Sequence, residues 1–120
     1  MDKPLNILKE SCLYYGASLQ GRQCAASAVL GTNRMLPAAI NPRSGIYMFP
    51  TSSGKSQQCI WLSYYLIDSF KTSGQYVHIC FYDGSMLEVQ ASRRIIDNQY
   101  KKTSQVIANL NRPLLFQSVF

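Results

Sequence analysis

Residues 75–89 read QYVHICFYDGSMLEV, and this stretch decides the fold class. Two apolar runs rich in β-branched and aromatic residues flank Asp83-Gly84, the dipeptide favoured where both central residues of a two-residue turn need positive φ. The reading is a β-hairpin closed by a type I′ turn. Such a turn pairs His78 with Val89 and Cys80 with Leu87, an apolar setting that makes His78 a half-buried strand residue and not a base.

Outward from the hairpin, Cys59 to Phe70 reads as a long β-branched and aromatic strand. Farther upstream, Pro37, Pro42 and Pro50 punctuate a loop-rich stretch holding two short strands, AAIN and GIYMF. Downstream, the spacing of Ile96, Tyr100, Thr103, Ile107 and Leu110 predicts a helix from about Arg93 to Leu110. Ser92 caps its start, and Asn111 with Pro113 ends it. At the N-terminus, Leu5 to Leu8 is expected to be extended. Ser11 then caps a helix through Ala17 and on to Leu30, weakened by Gly16 and Gly21. The small residues Gly16, Ala17, Ser18 and Gly21 suit a close approach of helix to sheet or helix. The expected fold class is α+β: a small mixed antiparallel sheet with a β-hairpin and two helices, one domain over 1–120.

The 120 residues, 47% hydrophobic and 15% charged, have the balance of a globular domain with a modest core. The N-terminus lacks the basic-then-apolar order of a signal peptide. The longest apolar run, Ile60 to Ile67, is interrupted by Ser63 and far too short to span a bilayer. A cytoplasmic protein with no membrane partner is expected, its cysteines reduced. Cys12, Cys24, Cys59 and Cys80 show no Cys-x-x-Cys pair, and His78 is the lone histidine. A zinc site assembled from four scattered elements is rare without paired spacing, so buried free thiols are expected, with no metal and no cofactor.

Gly54-Lys55-Ser56 resembles the tail of a phosphate-binding loop. The loop needs an early glycine five positions before Gly54 so that backbone N–H groups can curl around a phosphate. Phe49 stands there, followed by Pro50, which has no N–H. No acid–base pair or nucleophile constellation exists elsewhere, so no enzyme is expected. Lys55 is placed at the tip of a polar loop, open to a different anion.

Net charge is +6 and the pI about 9.3, which suits an anionic partner. The charge is unevenly spread. Between Glu10 and Asp68 there is no acidic residue, while Arg22, Arg34, Arg43 and Lys55 all fall there. The hairpin region is mildly acidic, with Asp68, Asp83 and Glu88 against Lys71. Basicity returns with Arg93, Arg94, Lys101, Lys102 and Arg112 against Asp97. On the last helix Arg94, Asn98, Lys101, Lys102 and Gln105 form a basic, amide-rich stripe suited to phosphates, or else an ordinary solvated face. The apolar tail LLFQSVF either packs back on the domain or meets another subunit.

Several unusual combinations occur together: SCLYYGASLQGR, INPRSGIYMFPTSS, QCIWLS and MLEVQASRRIIDNQY. They resemble the ComK family of competence transcription factors, over nearly the whole chain from about Lys3 to Ile107. The resemblance implies a DNA-binding regulator of competence that recognises AT-rich double-stranded DNA largely from the minor groove and acts as a homodimer or pair of dimers. Relative to full-length members, the chain is expected to lack an N-terminal segment and a C-terminal tail. This leaves open an antagonist that forms mixed oligomers with a full-length ComK relative. The DNA-contact candidates are Arg22, Arg34, Arg43, Lys55, Arg93, Arg94, Lys101 and Lys102. Arg22 and Arg43 are the candidates for insertion into a narrow groove. Arg22 could equally hold a carboxylate, Asp68 first. Trp61 and Tyr47 are expected in the core and not as stacking platforms.

Overall fold

The structure, a computed structural model, describes residues 4–52 and 59–119, with side chains described for 6–52 and 59–111. Among the described residues, three α-helices and two three-stranded antiparallel sheets follow one another. The α+β class holds, with one more helix than expected and two sheets in place of one.

The N-terminal region departs most from expectation. Leu5 to Leu8 is helical, part of α1 (Pro4–Tyr14). Proline suits a first helical position, where its missing N–H has no partner to lose, and Leu8 and Cys12, one turn apart, are buried. Gly16 ends the helix at φ +84. Its N–H bonds to the Leu13 carbonyl (3.0 Å) and that of Ala17 to the Cys12 carbonyl (2.9 Å), a Schellman motif. Ser18 then caps α2 (Leu19–Leu30), its hydroxyl accepting from the Gly21 N–H. Stop and start lie two residues apart, so the single helix capped by Ser11 becomes two. Gly16 serves backbone conformation here, since a Cβ built on it meets nothing within 4 Å.

The first sheet has the order β1 (Ala38–Asn41), β2 (Ile46–Pro50), β3 (Trp61–Ser63). A 3-10 turn, Pro42–Ser44, joins β1 to β2 and closes on Gly45 at φ +71. The sheet is covered on both faces. Ile46, Met48 and Trp61 pack toward α1 and α2 with Leu8, Cys12, Leu19, Ala38 and Ile40. Phe49 and Leu62 point the other way, into the main core. Tyr47, buried as expected, meets Ala39 and Ile107.

The expected long strand is interrupted by a 3-10 turn, Tyr64–Leu66, after which the chain enters the second sheet: β4 (Ile67–Ser73), β5 (Tyr76–Phe81) and β6 (Met86–Val89). The β5–β6 hairpin exists, but its turn is longer than expected. Phe81 pairs with Ser85 across three residues, and Gly84 alone takes positive φ, at +89. This is a type I turn followed by a left-handed residue. The extra residue shifts the register by one, so that His78 lies opposite Glu88 and Cys80 opposite Met86. A one-residue slip exchanges faces. Val77, Ile79, Leu87 and Val89 therefore fill the core. His78 sits in a polar outer row between Lys71 and Glu88, correcting its apolar setting.

The last helix, α3 (Arg93–Val119), starts as expected, with the Ser92 hydroxyl accepting from the Ile95 N–H. It continues past the expected end at Leu110. Pro113 lies inside it, where it removes one backbone bond and its ring crowds the carbonyl four residues back. Ile96, Gln99, Thr103, Val106 and Ile107 form the buried stripe.

Candidate nucleic-acid interface

Two polar side chains of α3 attach the loop after α2 to this helix. Gln99 is buried to 2% exposure, and its amide donates to the carbonyls of Met35 (2.8 Å) and Pro50 (3.0 Å). Met35 holds a left-handed backbone, φ +50, a conformation uncommon outside glycine and kept only where its surroundings enforce it. Three residues on, the Lys102 Nζ donates to the Arg34 carbonyl at 3.4 Å. The loop carrying Arg34 therefore lies against the cationic side of α3.

The result is one surface built from two parts of the chain. Arg94, Asn98, Lys101 and Gln105 are exposed along α3, Lys102 is half-buried, and Arg34 stands exposed beside it. Cations on a single helix face can track phosphates, and the amides can hydrogen-bond to phosphate, sugar or base edges. The remaining candidates go elsewhere. Arg93 donates to the Phe70 carbonyl (3.2 Å), lies over the Phe70 ring (4.6 Å) and pairs with Asp97 (3.5 Å). It ties α3 to the second sheet.

Arg22 is half-buried on α2, its Nε shielded from solvent and without a hydrogen-bond partner among the described residues. Burial pushes the Cys12 thiol up, and the Arg22 guanidinium beside it draws it partly back. The Tyr47 phenol is raised by burial and by Tyr65, and Arg22 again opposes. No ion pair joins Arg22 to Asp68 among the described residues. Lys55 lies outside them.

Arg43 is exposed on the 3-10 turn between β1 and β2. The turn is braced by Asn41 Nδ2 donating to Ser44 Oγ (3.0 Å) and by the Tyr65 ring, 3.6 Å from a Cβ built on Gly45. No hydrogen bond among the described residues links this turn to the α3 stripe.

The cysteines do not converge. Cys12 and Cys59 are buried free thiols as expected, whereas Cys24 is exposed and Cys80 half-buried. No cluster of metal-ligating side chains occurs among the described residues. Trp61 is half-buried in the α1–α2 core, and Tyr64 stacks on Tyr100 at 4.4 Å while bonding Ser104 through its hydroxyl (2.6 Å). Burial, reinforced by Tyr64, pushes the Tyr100 phenol up to about 12. These rings are structural.

Gln99 is the residue that sequence reading missed. Its signal was its place three after Ile96 and four before Thr103, a polar group in the buried register that requires partners.

The ComK protein family model matches residues 1–113. The chain belongs to the ComK family. It is 31% identical over 103 residues to the competence transcription factor of Bacillus subtilis (strain 168), covering 85% of this chain and 54% of that one. The chain thus spans about half the length of this curated relative. No solved structure matches. Among the described residues no helix is long and apolar enough to cross a membrane.

Proposed function

We propose that this ComK-family chain is a transcription regulator of competence that acts as a single DNA-binding domain in the cytoplasm, at the nucleoid, and without enzymatic activity. Its partner is AT-rich double-stranded DNA, engaged by homodimers or pairs of dimers. The observation that carries the reading is the clamp of Lys102 and Gln99 on the loop of Arg34, which unites two basic segments into one surface. On that surface Arg34, Arg94, Lys101 and Lys102 hold phosphates and set orientation. Arg43, on its braced turn, enters the minor groove. A narrow A·T groove concentrates negative potential, and a weakly hydrated guanidinium loses little on entering it. Arg22 and Arg93 serve the fold.

A gel-shift titration of AT-rich against G·C-rich duplexes, at two salt concentrations, tests the proposal. Affinity should fall with salt by a log–log slope of roughly −0.9 per phosphate neutralised, and the AT-rich duplex should bind more tightly. No shift at low salt would favour a module that acts only by mixed oligomers with a full-length relative.

A further inference from the structure

We infer that the hairpin-turn end of the second sheet docks another protein, through a segment that presents an apolar anchor flanked by lysines or arginines. Three large apolar side chains gather at this end and face water: Leu66 is 57% exposed, Tyr82 70% and Met86 62%. A cleft of ≈ 300 Å³ lined by Leu66, Phe81, Tyr82, Asp83 and Ser85 opens beside the first two, and Met86 follows Ser85 in the chain. Exposed apolar side chains grouped within a polar rim are a mark of interaction sites.

The surface is preorganised. The Tyr82 N–H donates to the Leu66 carbonyl at 3.0 Å, coupling the hairpin turn to the 3-10 turn before β4. Within the turn, Asp83 accepts from the Ser85 N–H (2.9 Å) and the Ser85 hydroxyl (2.6 Å). An anchor offered by a fixed turn loses little entropy on binding.

Charge selects the occupant. Residues 67–89 carry Asp68, Asp83 and Glu88 against Lys71, while the rest of the chain carries eleven cations and three carboxylates. The hydrogen bonds from Ser85 hold the Asp83 carboxyl below its usual range, so it is ionised at neutral pH. A phosphate backbone is repelled here, and a cationic segment is attracted. The most concentrated cations that a second copy could supply lie on the surface that Arg34, Lys101 and Lys102 form. That contact would be head-to-tail, a geometry that closes only into rings or runs on into filaments, and it would occupy the DNA face. A different protein meets neither obstacle. This inference does not depend on DNA binding, since none of its residues belongs to the surface of Arg34, Lys101 and Lys102.

The test is a resonance-shift titration of the full chain with an amphipathic Leu/Lys peptide of about four helical turns, and with its Leu/Glu counterpart. The Leu/Lys peptide should shift Leu66, Tyr82 and Met86 saturably, and the Leu/Glu peptide should leave them unmoved. Leu66→Ser and Tyr82→Ser should each weaken the Leu/Lys peptide about tenfold, the loss expected for an anchor residue. Asp68→Asn should weaken it about twofold at low salt and have no effect near 1 M, where screening removes the attraction. Melting curves establish that the variants fold, and the mapping on the unsubstituted chain stands without them. Shifts confined to other residues, or none, would overturn the inference. So would a duplex DNA that moves these three residues, or self-association that protects them without peptide.

Discussion

The two sheets differ in their residues and in what covers them: the strands of the first carry no charged side chain, and those of the second carry Asp68, Lys71 and Glu88. The β1–β3 sheet has α1 and α2 against one face and the main core against the other, so Ala38, Ala39 and Ile40 are buried in succession. The β4–β6 sheet covers the core with one face only, and Tyr76 to Ile79 alternate between more exposed and buried. A sheet covered twice has no place for charge along its strands. Its neighbourhood therefore carries cations at the margins: Arg43 on the turn, Arg34 on the preceding loop, Lys101 and Lys102 on the covering helix. The sheet covered once keeps a wet face, and there Lys71, His78 and Glu88 form a polar row.

The sharpest way to break this contrast is a core truncation set against a surface one. Phe49→Ala, in the middle of the twice-covered sheet, should cost about 3–5 kcal/mol in denaturant unfolding. Lys71→Ala on the wet face should fall within about 0.5 kcal/mol. Comparable losses would mean that the second sheet is covered in solution. Gln99→Ala comes next. It leaves the carbonyls of Met35 and Pro50 without the donor they share, and about 2–3 kcal/mol of stability should go with it. The Arg34 loop should then exchange its amides faster, which hydrogen exchange would detect.

Smaller effects separate the cations that hold DNA from those that hold the fold. Lys101→Ala and Lys102→Ala should weaken binding to every duplex alike, each reducing the salt slope by about 1. Arg93→Ala should leave that slope unchanged and cost about 1 kcal/mol of stability, through the lost contacts with Phe70. A slope that fell with Arg93 would move the DNA face toward the second sheet. The finest test is Arg43→Lys, which keeps charge and fold. Competition between AT-rich and G·C-rich duplexes should show most of the AT preference gone and overall affinity nearly kept. An undiminished preference would make Arg43 a phosphate contact or a bystander.

Local rules determined a good part of this protein from sequence alone. The hairpin around Asp83-Gly84, the strands at 38–41 and 46–50, the Ser92 cap and the buried register of α3 all follow from interactions within a few residues, which tertiary context left standing. The segregation of basic from mildly acidic segments was also legible, since it needs only the order of charges along the chain. Tertiary structure decided the rest. Whether the turn held two residues or three set the hairpin register, because burial of Val77, Ile79, Leu87 and Val89 outweighs the preference of a dipeptide. Gly16 could weaken one helix or separate two, and the sheet beneath Leu8, Cys12 and Leu19 selected two. Arginines that look alike in sequence were divided by their surroundings: Phe70 and Asp97 engage Arg93, Arg22 is half-buried with its Nε shielded from solvent, and Arg34 and Arg43 stay in water. A charged side chain has no local signal for its partner. The partner is brought to it from tens of residues away, by the packing of surfaces that carry no charge.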